Sequence, residues 1–394
     1  MAKLNLRSER RIIRISPKEL YWFVLLILPM KTVYMTKIEV IDTLFFWGEL
    51  AFDIIVLFIL FLREKYKINY SVIFFICYQV IVLVSTVYNG GEILAQGEHA
   101  LTFSCLILFI DYIIQTDTKK AISSFLMLFE FLVYLNFILL LVYPEGIYLL
   151  GGRGVWLFGQ ANDSTLYFTC ALMIAFLYSY YVKKKDDFLT FRSLILTVIC
   201  VISTILTDSS TSTVGIILMM AVILAYSIFK ISISPNYGLL AGIGIFVGFI
   251  ILRLQEYFQS FIVNILHRSI TFSNRTRIWD SAFYYIAQKP MLGYGMESRI
   301  DAGNRFLGNS TPHNKILYTT YLGGILLLFI FIIIIIYTIK KLNQYSKSAA
   351  KAFITGPIIA LLIQMQFESY TLFPFWIPFL FGMYIEQIVS LRDT

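Results

Sequence analysis

Charge is scarce in this sequence. Only 14% of its 394 residues are Asp, Glu, Lys or Arg, and 58% are hydrophobic, whereas soluble domains carry about 25% charged residues. Apolar runs recur from residue 20 to residue 389, each near the roughly 20 residues that a helix needs to cross a bilayer. The sequence therefore excludes an ordinary soluble protein and predicts a single membrane domain over residues 1–394.

Cysteine motifs and the common catalytic motifs are also missing. The four cysteines lie inside apolar runs without CxxC or Cys/His spacing, so we expect neither disulfides nor a zinc site. The chain has no HExxH, GxSxG or GxxxxGK motif, which sets aside zincins, α/β-hydrolases and P-loop enzymes. We expect no metal and no cofactor. The net charge of +8 comes from Lys and Arg in loops between apolar segments, so the expected partner is the lipid bilayer, not nucleic acid.

The hydropathy pattern predicts an all-α, polytopic membrane protein with about twelve transmembrane helices. Every second loop is basic, and the positive-inside rule places these loops and both termini in the cytoplasm, in the cytoplasmic membrane. The basic N-terminal tail is interpreted as preceding a first anchor that is not cleaved. The predicted crossings are 18–34, 40–62, 69–88, 95–115, 121–143, 164–182, 189–206, 213–230, 237–252, 316–339, 352–367 and 373–389.

Two outer loops stand out, at residues 144–163 and 253–315. The longer loop carries Arg253, Arg268, Arg275, Arg277, Lys289, Arg299, Arg305 and Lys315. Long loops can tolerate such charge, but we favour an anion site. The apolar spacing predicts an amphipathic surface helix over 254–266 and a second helix from about Ser273 to Pro290. Arg275 then lies in the first turn of the second helix, where free backbone N–H groups and the helix dipole attract anions.

Four short motifs follow one another on the predicted outer side. Residues 151–162 read GGRGVWLFGQAN, residues 273–279 read SNRTRIW and residues 289–295 read KPMLGYG. His313–Asn314 is followed by Gly324 after nine intervening residues. Each motif alone is unspecific, but their order is informative.

With these motifs the chain resembles the O-antigen ligase and Wzy-type polysaccharide polymerase superfamily, by motif over residues 150–330 and by topology throughout. The matching residues are Arg153, Asn162, Ser273, Arg275, Ile278, Trp279, Pro290, Gly293, Gly295, His313, Asn314 and Gly324. Asn274 replaces a family glycine, and Ser210 stands where members often carry an arginine after the seventh crossing. Arg268 or Arg299 could substitute for that arginine. The resemblance implies a GT-C-like fold.

The resemblance also implies a function, namely a metal-independent glycosyltransferase that polymerises undecaprenyl-diphosphate-linked oligosaccharide repeat units on the outer face of the membrane. An acceptor hydroxyl would attack the anomeric carbon and the lipid diphosphate would leave. Arg153 and Arg275 would bind the diphosphate, with Arg277 as a helper. His313 would act as base or orient the acceptor, or else it is a structural loop histidine. The remaining candidate substrate-binding residues are Asn162, Asn314, Trp279, Tyr294, Arg268 and Arg299. A chain-length regulator is a possible partner.

Acidic residues inside the predicted crossings are further candidates. Glu49 and Asp53 lie at i,i+4 in the second crossing, and carboxylates are costly in lipid. They are interpreted either as an intramembrane acid or base or as polar packing groups; Asp111 and Glu130 are similar but isolated. Trp156 and Trp279 could stack on sugars or anchor at the interface.

Two other functions remain open from the sequence. One is a ligase of the same superfamily, which would differ only in its acceptor. The other is a polysaccharide flippase or transporter, although the two halves of the chain show no internal repeat of the kind that many transporters carry.

Overall fold

The computed structural model describes residues 15–63, 66–184, 189–254, 275–345 and 347–392, and these ranges are mainly α-helical. The helices are α1 (Pro17–Ile27), α2 (Glu39–Leu62), α3 (Tyr70–Asn89), α4 (Ile93–Val142), α5 (Ser164–Leu177), α6 (Phe191–Leu206), α7 (Ser210–Phe229), α8 (Asn236–Ile245), α9 (Arg275–Gln288), α10 (Arg299–Arg305), α11 (Lys315–Gln344), α12 (Ala349–Gln364), α13 (Ile377–Met383) and α14 (Ile385–Ser390).

Six helical segments of the described residues are long and apolar enough to cross a membrane. They are Glu39–Leu62, Tyr70–Asn89, Ile93–Val142, Ala161–Val182, Ser210–Phe229 and Lys315–Gln344. The predicted all-α, polytopic membrane architecture is therefore confirmed in its class. The figure of twelve crossings stays a prediction, although α4 does join two predicted crossings across a non-helical residue, Asp117.

Two predicted crossings have a different shape in the structure. The segment 18–34 is helical only over Pro17–Ile27, because Pro29 follows at once and cannot donate a helical hydrogen bond. The segment 373–389 is divided into a 3₁₀ turn at Phe373–Trp376, then α13 and α14. Of the two helices predicted in the long outer loop, the second is confirmed as α9. The first helix lies outside the described residues apart from Leu254. Arg268 and Ser273, the predicted cap of the second helix, lie outside them as well.

The shorter outer loop folds into a small antiparallel sheet that hydropathy did not predict. Its strands are β1 (Tyr148–Leu150), β2 (Arg153–Trp156) and β3 (Gly159–Gln160), in the order β1-β2-β3. Val155 pairs with Tyr148 on one side and with Gln160 on the other. The Trp156 indole N–H donates to the carbonyl of Tyr143 at 2.8 Å, which ties the sheet to the end of α4.

The helix bundle has one large apolar core, in which α5 lies nearly fully buried. Helices α7 and α12 approach so closely that a Cβ on Gly356 would lie 2.8 Å from the Met219 carbonyl oxygen. A separate apolar cluster, the outer cluster, surrounds α9 and the start of α11. It comprises Ile250, Ile278, Trp279, Ala282, Tyr294, Ala302, Phe306, Leu317 and Tyr321.

The acidic side chains inside the bundle have partners. Asp53 is 3% exposed and accepts a hydrogen bond from Thr102 at 2.8 Å, and Glu49 is only half-buried on the same helix. Asp111 and Glu130, each isolated from other acids in the sequence, also have hydrogen-bond partners. Asp111 accepts from Gln115 at 2.6 Å as well as from two tyrosines, Tyr66 and Tyr384, and Glu130 accepts from Arg192 Nε at 2.6 Å.

Candidate active site

Several chain segments meet at one end of the bundle. This end contains the first residues of α5, α7, α9 and α11, together with the connection from α12 to the 3₁₀ turn, residues 365–372. The opposite end carries Lys-rich connections, where Tyr226 donates to the carbonyl of Lys347 at 2.8 Å. The cluster described below therefore lies at the end away from the basic loops.

Glu368 is the centre of this cluster. Its Oε1 accepts hydrogen bonds from Asn162 Nδ2 at 2.8 Å and from Arg275 Nη2 at 2.9 Å. Arg275 Nη1 also donates to the Phe367 carbonyl at 2.6 Å. The side chains of Arg275 and Glu368 are 18% and 12% exposed. The guanidinium thus ties the first residue of α9 to the connection after α12.

His313 contacts the other carboxylate oxygen. Its Nδ1 lies 3.8 Å from Glu368 Oε2, and its Nε2 donates a hydrogen bond to Asn309 Oδ1 at 3.1 Å. The imidazole is 31% exposed, so a substrate can reach it. A carboxylate beside an imidazole is an arrangement suited to proton transfer.

The backbone at His313 is held in an unusual conformation. Its φ of 50° lies in the left-handed region, which non-glycine residues adopt at a cost. The next residue, Asn314, is fully buried and caps α11 by accepting from Leu317 N–H at 2.8 Å. Asn314 Nδ2 also donates to the Gln366 carbonyl at 3.0 Å. Asn314 therefore fixes the position of His313 and does not face a ligand.

The electrostatics of Glu368 reflect these neighbours. Burial raises the pKa of the carboxyl, but the His313 imidazole and the Arg275 guanidinium lower it further, so the net pKa lies below the ordinary value for glutamate. Glu368 is therefore ionised at neutral pH. Its negative charge neutralises the positive charge that the sequence assigned to an anion site.

The stretch around Ser210, where members of the family often carry an arginine, also contacts the cluster. Ser209 donates to Asn162 Oδ1 at 3.1 Å and accepts from Ser212 N–H at 3.2 Å, so it caps α7 as well. Ser210 itself is exposed. The turn thus orients Asn162 and supplies no positive charge.

Other predicted site residues lie away from this cluster. Arg153 and Arg277 are exposed, Arg153 at the tip of the small sheet. Within the described ranges, no hydrogen bond or ion pair joins either of them to Arg275, His313 or Glu368. Arg299 is exposed and lines a separate cavity. Arg268 lies outside the described residues.

The predicted aromatic residues belong to the outer cluster. Trp279 is 2% exposed, which leaves no ring face free for a sugar. Tyr294 stacks on Tyr321 with ring centroids 4.9 Å apart, and the Arg305 guanidinium lies 4.0 Å from the Tyr294 ring centre. Here these residues support the segment that carries His313.

Glu368 is not among the residues predicted from the sequence. A single acid in the connection between the last two apolar segments looks like an ordinary polar turn. A better indication was the local run Gln364, Gln366, Glu368 and Ser369, which is unusually polar for this chain. Only the packing of α9 and α11 against that turn reveals its importance.

Comparison with known proteins agrees with the motif pattern. Residues 195–332 match the model of a family described as O-antigen ligase, Wzy_C. The match includes Arg275, His313 and Gly324, whereas Arg153, Asn162 and Glu368 lie outside it. No curated protein matches the chain. The predicted resemblance is thus confirmed over residues 195–332, which match the O-antigen ligase family.

Proposed function

We propose that this protein is a polysaccharide polymerase that joins polyprenyl-diphosphate-linked oligosaccharide repeat units at the outer face of the cytoplasmic membrane. The observation that carries the proposal is the convergence of Arg275, His313 and Glu368 at one end of the bundle, with Arg275 and His313 inside the matched family domain. The cluster provides a group for proton transfer beside a group for anion stabilisation.

In this mechanism His313 acts in the tautomer that carries its proton on Nδ1, toward Glu368. Its Nε2 leaves Asn309 and takes the proton from the acceptor hydroxyl, and Glu368 stabilises the resulting imidazolium. The acceptor oxygen forms a bond to the anomeric carbon, and the bond from that carbon to the diphosphate oxygen breaks. Arg275 stabilises the charge on the departing diphosphate. A guanidinium has five N–H donors, and Glu368 and the Phe367 carbonyl use two of these, so others remain for phosphate oxygens.

An apolar cavity beside the cluster supports a lipid-linked substrate. Its volume is about 240 Å³, and it lies between α8, α11 and α12. Its lining includes Leu239, Gly242, Ile316, Leu328, Ile332, Leu362, Met365 and Gln366. Met365 and Gln366 directly precede Phe367 and Glu368, so the cavity and the polar cluster share one stretch of chain. A prenyl chain in this cavity would have its head group near Arg275.

Reconstitution tests the proposal. The purified chain would be placed in liposomes with the host's polyprenyl-diphosphate repeat unit and a chelator, and the products separated on a gel. We expect a ladder of lipid-linked glycans. Arg275→Ala should lower the rate by about 10²–10³-fold, the usual cost of removing one stabiliser of developing charge. Arg63→Ala, an exposed arginine at the end of α2, is the matched control. A ladder that requires added divalent metal would contradict the metal-independent mechanism.

A ligase is the second candidate, because the matching family is described as O-antigen ligase. The same preparation distinguishes the two. If no ladder forms, but the glycan is transferred once a separate acceptor is supplied, the protein is a ligase and the polymerase proposal is wrong.

A further inference from the structure

A second, more polar cavity lies near the cluster. Its volume is about 410 Å³, and it is enclosed by α3, α4, the start of α11, residues 295–311 and residues 371–376. That volume is in the range of small-molecule sites. Arg275, His313 and Glu368 are not among its lining residues. The exposed side chains of Arg299 and Met296 form part of its wall, at the outer-loop end of the molecule.

Lys315 is the unusual residue of this cavity. It is 3% exposed, and its ammonium donates to the Tyr370 carbonyl at 2.9 Å. The same ammonium lies 5.2 Å from the Phe375 ring centre and 5.5 Å from that of Trp376. Within the described ranges, no carboxylate is within 4.0 Å of it. A buried charge without a counter-ion is costly, so an anion that entered the cavity would be stabilised beside the Lys315 ammonium.

The acidic residue of the lining does not supply this negative charge. Glu297 accepts a hydrogen bond from Tyr321 and forms an ion pair with Arg305, at 3.3 Å. Its charge is therefore balanced by Arg305. The exposed Arg299 adds a second positive side chain to the wall, so the cavity as a whole favours an anion.

The rest of the lining suits a sugar ring. The amides of Gln79 and Gln96 are buried and bonded to each other at 3.3 Å, and each amide has further donors and acceptors for hydroxyl groups. Tyr78 and Trp376 also line the cavity and contact edge to face, with ring centroids 5.1 Å apart. Both rings are nearly fully buried, so they contribute an apolar wall and not a stacking face. Inorganic diphosphate has no apolar group to place against this wall.

We propose that this cavity binds an acidic sugar of the glycan substrate, with the carboxylate of that sugar paired with Lys315 and its hydroxyls bonded to Gln79 and Gln96. This inference rests on the proposed function for the source of the glycan. It extends that function by assigning a substrate class, because a neutral glycan would leave Lys315 without a counter-ion.

Thermal unfolding of the full chain in detergent tests the assignment without requiring transfer activity. The probes are sodium glucuronate, glucose and sodium acetate at constant ionic strength. A ligand that binds only the folded state raises the unfolding midpoint. We expect a saturable rise with glucuronate alone. Lys315→Met should weaken the apparent affinity for glucuronate at least tenfold. Lys351→Met is the control, because Lys351 is also buried, at 4% exposure, but lies at the start of α12.

Each other outcome has a definite meaning. An equal rise with acetate, or a glucuronate rise that persists in Lys315→Met, would overturn the proposal. A rise with inorganic pyrophosphate that is lost in Lys315→Met, without any response to glucuronate, would assign the cavity to the diphosphate and overturn the sugar assignment. If Lys315→Met fails to fold, the selectivity of the unmodified chain among the three probes decides. Arg275→Ala should retain the glucuronate response. Loss of transfer activity and loss of sugar binding can therefore be distinguished.

Discussion

Nη2 of Arg275 lies 2.9 Å from Oε1 of Glu368, and this pair changes how the site must be understood. From the sequence, Arg275 in the first turn of its helix was expected to bind an anion. Instead, a carboxylate from a turn more than 90 residues later in the sequence already occupies one side of the guanidinium. A diphosphate must therefore approach the remaining N–H groups, or displace part of this contact.

The Arg275–Glu368 pair should be important for stability. Glu368→Gln would remove the negative charge and leave the mostly buried guanidinium unpaired. We expect the free energy of unfolding to fall by about 1–3 kcal/mol, the cost of an unsatisfied buried polar or charged group. The double variant Arg275→Met/Glu368→Gln should recover part of that loss, because no charge then remains unpaired. Thermal midpoints in detergent would measure both. An unchanged midpoint in Glu368→Gln would show that the pair contributes nothing.

The same pair predicts a pH dependence. The pKa of Glu368 in the folded protein lies below its ordinary value, so the carboxylate contributes stability that is fully present above the ordinary pKa, about 4.3. That contribution is lost as the pH falls through the folded pKa. The difference in midpoint between the unmodified chain and Glu368→Gln should therefore be present at neutral pH and shrink below about pH 4.3. A difference that grows on acidification would contradict the assignment.

His313 should be needed for the transfer step and not for folding. His313→Gln keeps a polar side chain beside Asn309 but cannot accept a proton, so we expect transfer to fall by about 10²–10⁴-fold. The rate of glycan extension in liposomes measures this effect, and the thermal unfolding midpoint in detergent should stay unchanged. A variant that extends glycan at the unmodified rate would make His313 a structural residue.

Neighbouring serines provide a matched pair of substitutions. Ser209→Ala removes the cap of α7 and the hydrogen bond to Asn162, whereas Ser210 is exposed. We expect Ser209→Ala to cost about 1 kcal/mol of stability, as for other helix caps, and to reduce transfer because Asn162 is no longer held. Ser210→Ala should leave both unchanged. Equal effects of the two substitutions would mean that this turn does not orient Asn162.

The kink in α11 should tolerate only glycine. Gly324 has a φ of 63°, and a Cβ there would lie 2.2 Å from the Met291 carbonyl. Gly324→Ala should therefore cost more than the roughly 1–2 kcal/mol of a left-handed backbone alone and displace the turn that holds Tyr294. Gly244→Ala is the control, because that position in α8 has an ordinary φ and open space around it. Midpoints and tryptophan fluorescence would compare them.

Much of the fold could be predicted from the sequence, because lipid leaves the backbone few choices. A backbone in hydrocarbon must satisfy its own hydrogen bonds, so runs of apolar residues become helices. The start of α9 and the turn around Gly293, Gly295 and Gly324 were marked by the motifs that also carry the family resemblance. Hydropathy did not predict the small sheet, which depends on strand pairing within one loop. It also did not predict the breaks in the first and last apolar segments, which lie at Pro29 and at Tyr384, between α13 and α14.

The candidate site was predictable only in part. Arg275 and His313 were identified because each belongs to a motif with fixed spacing. Glu368 has no such motif, and nothing local distinguishes it from a solvated turn residue. Asn314 and Trp279 were also predicted to bind substrate because they belong to such motifs. Both are buried in the structure and support the site without facing a ligand. Lys315 was counted among loop charges, and only the packing of α3, α4 and the 3₁₀ turn around it shows a buried cation.

The sequence by itself determined three properties of the protein. Its composition indicates a lipid bilayer as the surroundings, the length of its hydrophobic runs indicates helices, and the order of its motifs indicates the superfamily. The tertiary structure decided which charges meet. It placed Glu368 between Arg275 and His313, left Arg153 at the tip of a sheet, and enclosed Lys315 in a polar cavity. The physical reason is that charge pairing depends on distances of a few ångströms between residues far apart in the chain, and those distances are set by helix packing.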